Sequence, residues 1–155
     1  MTITVTSPIT GAAQTGFTTP TYTLTGDLAP DNNGKQNAVT ALGGTQTGVT
    51  THSIASPFTI TAIRAKVFKY LGKPNPTTGL IKDVPRNATT IITRKGVTPL
   101  AGQPFATLLI KTVIEVPAGS DTADAPNVRA ALSAHIGALS QQSAGVGDTA
   151  VTGII

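Results

Sequence analysis

The stretch Phe105-Ala106-Thr107-Leu108-Leu109-Ile110-Lys111-Thr112-Val113-Ile114-Glu115-Val116 lies between Pro104 and Pro117 and contains neither proline nor glycine. Side chains alternate across a strand, so Ala106, Leu108, Ile110, Thr112, Ile114 and Val116 share one face. Phe105, Thr107, Leu109, Lys111, Val113 and Glu115 share the other. The first set is the more apolar and is expected to face a core. A few residues on, the period changes. Asp124-Ala125-Pro126 reads as a helix start, a capping side chain followed by proline in the first turn. Val128, Leu132, His135/Ile136 and Leu139 then recur at spacings of three and four, the apolar stripe of a helix over Asp124–Leu139. A long strand followed by an amphipathic helix decides the class: strands first, helices last, an α+β chain with an antiparallel sheet.

Outward from this stretch the β character continues. Thr89–Lys95 and Phe58–Tyr70 read as strands, separated by a loop rich in Gly and Pro from Gly72 to Pro85. Asn37–Leu42 reads as a short strand stopped by Gly43-Gly44, and Asp31-Asn32-Asn33-Gly34 as a turn. Ile3–Thr6 and Pro20–Thr25 form a hairpin around Gly11–Gly16. At the other end Ser143–Gly147 reads as a break, and Asp148–Val151 as the start of a second short helix. The 155 residues therefore read as one domain: a hairpin over 1–26, a main sheet over 37–117 and a helical part over 124–155.

Composition excludes several classes. Apolar residues make up 39% and charged residues 12%, the reverse of a disordered chain. There is no Cys, hence no disulfide framework, thiolate metal site or cysteine nucleophile. No apolar run approaches the roughly 18–20 residues of a membrane span. No basic segment precedes an apolar one at the N-terminus, so the expected place of synthesis is the cytoplasm. The net charge is +4, but its distribution says more. Arg64, Lys66, Lys69, Lys73, Lys82, Arg86, Arg94, Lys95 and Lys111 face only Asp83 and Glu115 in the middle of the chain, while both ends are slightly acidic. A basic middle favours a polyanion, most simply nucleic acid.

No active site is legible. His52 and His135 are the only histidines, and neither has a spaced partner that would make a metal site. His52 beside Ser53 suggests a small hydrolase, but adjacent residues on an extended chain point apart and no third group orients the base. The carboxylates are scattered, and Gly43-Gly44 and Gly145-Val146-Gly147 are not followed by the Lys-Ser/Thr of a phosphate loop. The expectation is a non-enzymatic protein without cofactor or metal.

The element order resembles the coat proteins of single-stranded RNA bacteriophages of the levivirus type. Stretches similar to that family are Pro20-Thr21-Tyr22-Thr23-Leu24, the run from Asn33-Gly34-Lys35-Gln36-Asn37 through Ala38-Val39-Thr40-Ala41-Leu42 to Gly43-Gly44-Thr45-Gln46, and Pro57-Phe58-Thr59-Ile60-Thr61. Arg94-Lys95-Gly96-Val97 and the tail Asn127–Ser140, with Gly145-Val146-Gly147-Asp148, complete it. The Gly72–Pro85 loop is longer than in the best-known coats. The resemblance implies a homodimer whose sheets join into one, with each subunit's helices covering the other's sheet through Val128, Leu132, Ile136 and Leu139. It further implies an icosahedral shell in the virion, and an inner sheet face that binds genomic RNA. That RNA includes a hairpin whose capture represses translation of the replicase. A head-decoration or tail-tube protein of a phage, with no RNA binding, is the other structural reading of a Thr-rich, Cys-free chain.

Alternation, combined with the resemblance, selects RNA-facing residues. Arg64 and Lys66 lie opposite Ile63, Ala65 and Val67, which are expected to meet the helices. Lys111 shares its face with Thr107, Leu109 and Val113, on the strand that the family uses for RNA. Thr89–Lys95 ends in a cation on both faces, and Thr93 and Lys95 are preferred over Arg94. The expected RNA set is thus Arg64, Lys66, Thr93, Lys95, Thr107, Leu109 and Lys111. The cations would make phosphate contacts and the threonines base or ribose contacts.

Overall fold

The computed structural model describes residues 3–155. Six strands follow one another as β1 (Ile9–Thr10), β2 (Thr18–Asp27), β3 (Gly34–Thr45), β4 (Phe58–Arg64), β5 (Arg86–Val97) and β6 (Ala106–Pro117). Each pairs antiparallel with the next, so the sheet order is β1-β2-β3-β4-β5-β6 and β6 is an edge. Three helices follow: α1 (Ser120–Ala123), α2 (Ala125–Gln141) and α3 (Ser143–Thr152). The α+β reading with an antiparallel sheet and helices last therefore holds.

The elements differ from the sequence reading at their ends, for local reasons. The N-terminal hairpin uses Ile9–Thr10 rather than Ile3–Thr6, with Ile9 opposite Tyr22 and Thr10 opposite Thr21. Ile3 instead lies beside β3, its carbonyl accepting from Lys35 Nζ at 3.3 Å. β2 continues into the main sheet, paired with β3 as far as Asp27↔Gln36. Strand β3 runs through Gly43-Gly44 to Thr45, because these glycines permit close approach rather than end the strand. At Gly44 φ is +71°, and a Cβ there would sit 2.2 Å from the Thr19 carbonyl oxygen.

The largest differences are at β4 and α3. Strand β4 stops at Arg64, since the last β3 pair is Gly34↔Ile63 and the last β5 pair is Arg64↔Thr89. Residues 65–85 form a loop, and Lys66 leaves the sheet. Helix α3 begins at Ser143, so Ser143–Gly147 is helical rather than a break. Gly147 serves contact here: Gln14 of the β1–β2 turn lies against it, donating to the Ser143 carbonyl at 2.8 Å and its hydroxyl at 2.7 Å. Thr15 adds a hydrogen bond to Asp148 at 2.9 Å. Asp124 caps α2 differently from the expectation, its carboxylate accepting from Asn127 Nδ2 rather than from the backbone.

Little of the chain is buried. Among the described residues the buried apolar side chains are Ala38, Val39, Ile92 and Ala118. No residue of α2 or α3 is buried. Ile110, Val113 and Ile136 are 56%, 55% and 62% exposed. A chain that hides so little apolar surface by itself leaves much of it available for association.

Candidate nucleic-acid interface

Directly opposed residues in an antiparallel pair share a face, so the register sorts the sheet's side chains into two sets. On one face β6 presents Thr112, Ile114 and Val116, each half-buried, while its neighbours Lys111, Val113 and Glu115 are exposed. The cover is α2: Val128, Ala131, Leu132 and His135 line a cleft of about 300 Å³ with Thr112–Pro117. The even-numbered face of β6 is therefore the helix side, as its apolar character suggests. Val128 and Leu132 are half-buried over β6, whereas Ile136 and Leu139 remain exposed.

The opposite, open face carries Lys111, Leu109 and Thr107, paired with Ile92, Arg94 and Gly96 of β5. Ile92 and Arg94 pair in turn with Thr61 and Thr59 of β4, and these with Gln36 and Ala38 of β3. A polar ladder crosses the strands here. Arg94 Nη1 donates to Thr61 Oγ1 at 2.9 Å, Thr61 Oγ1 donates to Gln36 Oε1 at 2.7 Å, and Gln36 Nε2 donates to Asp27 Oδ2 at 2.7 Å. Thr61 is fully buried at 0% exposure, so the ladder has a rigid centre. The bond from Gln36, then the Leu28 backbone N–H, holds the Asp27 carboxyl below its ordinary value. Arg94 is thereby anchored at one nitrogen, with the rest of its guanidinium fork available on the open face. Arg86, on the same face, is engaged by Glu115 at 3.5 Å.

The expected RNA set is not one surface. Thr107, Leu109 and Lys111 share the open face. Arg64, Thr93 and Lys95 fall on the helix side, because Arg64 pairs with Thr89, Thr93 with Ile110 and Lys95 with Leu108. There Arg64 lies 5.4 Å from the Phe68 ring centroid. Lys95 Nζ donates to the Thr50 carbonyl at 2.9 Å and its hydroxyl at 2.8 Å, and sits 4.9 Å from the Phe58 ring centroid. Burial lowers its pKa. Phe58 in turn meets Tyr22 edge-on at 5.7 Å. Lys66, off the strand, pairs with Asp31 at 2.7 Å. Arg94, ranked below Thr93 and Lys95 by sequence, is the β5 cation that lies on the open face with Lys111. The deciding signal was Thr59-Ile60-Thr61: its threonines pair with Arg94 and Ile92, away from the helix side.

His52 and Ser53 are engaged in loop structure. His52 Nδ1 accepts from the Phe58 N–H and Ser53 Oγ from the Ser56 N–H, both at 3.0 Å. No group of three or more His, Cys, Asp or Glu side chains that would hold a metal occurs among the described residues.

Among the described residues, a six-stranded meander whose last strand is an unpaired edge, with a C-terminal helix beside one face of that strand only, defines a subunit with surfaces left to cover. No family model and no curated protein matches the chain. A solved structure does: the virus-like particle of bacteriophage ESE020 is 59% identical, with a TM-score of 0.97 over 99% of this chain and 100% of that one. At that identity and coverage the chain belongs to the same family, the bacteriophage coat proteins.

Proposed function

We propose that this chain is the coat protein of a single-stranded RNA bacteriophage of the levivirus type, that it dimerises and assembles into an icosahedral shell, and that its open sheet face binds genomic RNA. The observation that carries the reading is the full-length similarity to a subunit of a virus-like particle. Dimerisation is supported by surfaces left uncovered in the single chain. Among the described residues the β6 edge has no strand beside it, and Ile136 and Leu139 of α2 are exposed. A second copy supplies both missing partners: its β6 extends the sheet, and its helix-side face receives Val128, Leu132, Ile136 and Leu139.

RNA binding is supported by the open face. Arg94, Lys111 and Thr107 lie where no helix of the same chain covers them, and Lys111 is exposed to a phosphate. Capture of a replicase-repressing hairpin on this face is part of the same reading. Expression of this chain alone, with electron microscopy and extraction of nuclease-protected nucleic acid, tests it. Closed shells containing RNA are expected. Shells without nucleic acid would remove the RNA function, and tubes or soluble monomers would remove the coat assignment.

A further inference from the structure

The open edge of β6 contains enough information to set how two copies join, and this step rests on the dimer proposed above. The Ala118 N–H donates to the Pro85 carbonyl at 2.8 Å. Backbone groups alternate in direction along a strand, so the even-numbered residues of β6 bond to β5. The odd-numbered residues Thr107, Leu109, Lys111, Val113 and Glu115 direct their N–H and C=O groups to the open edge. Such a row is a template for another strand.

Two identical antiparallel strands in one sheet are related by a two-fold axis normal to it. Opposed residues share a face, so the axis must pass through a residue and not between two residues. Only a few centres overlap the strands well, and charge distinguishes them. A centre at Lys111 opposes two ammonium groups, which is unfavourable. A centre at Ile110 or Thr112 sets Lys111 and Glu115 against uncharged residues. A centre at Ile114 shortens the overlap and again leaves both charges unmatched. With the axis at Val113, Lys111 opposes the partner's Glu115 and Glu115 opposes the partner's Lys111.

We infer that two copies of this chain pair their β6 strands antiparallel in the register centred on Val113, locked by reciprocal Lys111–Glu115 ion pairs. The surroundings fit. Glu115 is held by Arg86 through only one oxygen, at a long 3.5 Å, so it can be shared between Arg86 and the partner's Lys111. On the helix side the same register sets the exposed Ile110 against the partner's Val116, and Thr112 against the partner's Ile114. At the ends Leu109 opposes the partner's Pro117, whose missing N–H ends the ladder there. The pairing fixes Lys111 at the dimer seam on the open face. There its charge is partly neutralised, and Arg94 is left as the less compensated cation.

The chain has no cysteine, so single substitutions report the register directly. Val113→Cys would bring two Cα atoms to about 5.5 Å across the axis, within the disulfide range. In this register the two Thr112 residues are about 8 Å apart and the two Lys111 residues about 14 Å, both too far. Mild oxidation of each variant, with denaturing gels beside native sizing, should give covalent dimers with Val113→Cys and not with Thr112→Cys or Lys111→Cys. Crosslinking at one of the latter in dimers of normal size would overturn the register while leaving the edge-paired dimer in place. Normal-size dimers that crosslink at no β6 position would overturn edge pairing itself. A second arm does not depend on cysteine. Lys111→Glu and Glu115→Lys should each weaken dimerisation on the order of tenfold, and the double exchange should restore most of it. Additive losses in the double variant would also overturn the register.

Discussion

Thr61 shows how much one hydroxyl does in a sheet with almost no core. It is fully buried, opposite the buried Ile92, yet two of its other neighbours on that face, Gln36 and Arg94, are polar. Its Oγ1 satisfies an acceptor on one side and a donor on the other, so it fixes the lateral positions of β3, β4 and β5 at once. Thr61→Val keeps the shape and removes both bonds. The Gln36 carbonyl then loses a donor and the Arg94 guanidinium an anchor. We expect a loss of about 1–3 kcal/mol, read from the denaturant midpoint of the dimer, because a half-buried partner is left unsatisfied. Thr61→Ser retains the hydroxyl and should cost less. The same residue explains a limit of sequence reading. Alternation gives the relative parity within one strand, but the face it names depends on a partner strand. Its apolar character assigns Ile63 to the helix side, whereas the ladder through Thr61 sets it on the open face.

At the scale of elements, period and punctuation carried most of the information. The alternation in β6 identified the helix side correctly, since Thr112, Ile114 and Val116 are the half-buried residues of that strand. The stripe Val128, Leu132, Ile136 and Leu139 and the proline at the start placed α2 to within two residues. What failed were boundaries set by tertiary contact. Strand β4 ends where its pairing with β3 and β5 ends, not where β-rich composition ends, which leaves Lys66 off the sheet. Gly145 and Gly147 looked like a break, but the close seat of Gln14 against α3 uses one of them. Neither contact has a local signal. Helix α2 also provides the sharpest test of the element's role. Leu132 is half-buried over β6 and lies on the stripe assigned to the partner. Leu132→Asp would put an unpaired carboxylate into that apolar contact, at a cost of several kcal/mol. The expected outcome is insoluble protein or loss of particles. Normal particles in good yield would show that the helix does not seal the dimer.

For the whole molecule the question is which side of the sheet meets RNA, and the two faces differ in a measurable way. The helix side holds Arg64 and Lys95, but these are occupied by Phe68, Thr50 and Phe58, and a partner's helices would cover them. The open side holds Arg94 and Lys111 with threonines between, and no helix reaches it. Each phosphate contact to a basic side chain releases counterions, so log affinity falls with log salt in proportion to the number of contacts. Replacing Arg94 and Lys111 together by Gln removes one or two contacts, according to how far the seam neutralises Lys111. The salt slope should fall by about 0.7 to 1.8, spanning one single-strand contact to two duplex contacts. Arg64→Gln with Lys95→Gln removes the same formal charge from the other face and should leave the slope unchanged. The comparison of the two double variants is what decides, because net charge alone would affect both equally. The measurement is hairpin binding by purified dimers across a salt series, with sizing to establish that each variant remains a dimer. A reduced slope for the Arg64 and Lys95 pair, with an unchanged slope for the Arg94 and Lys111 pair, would put the RNA on the helix side and invert the proposed shell.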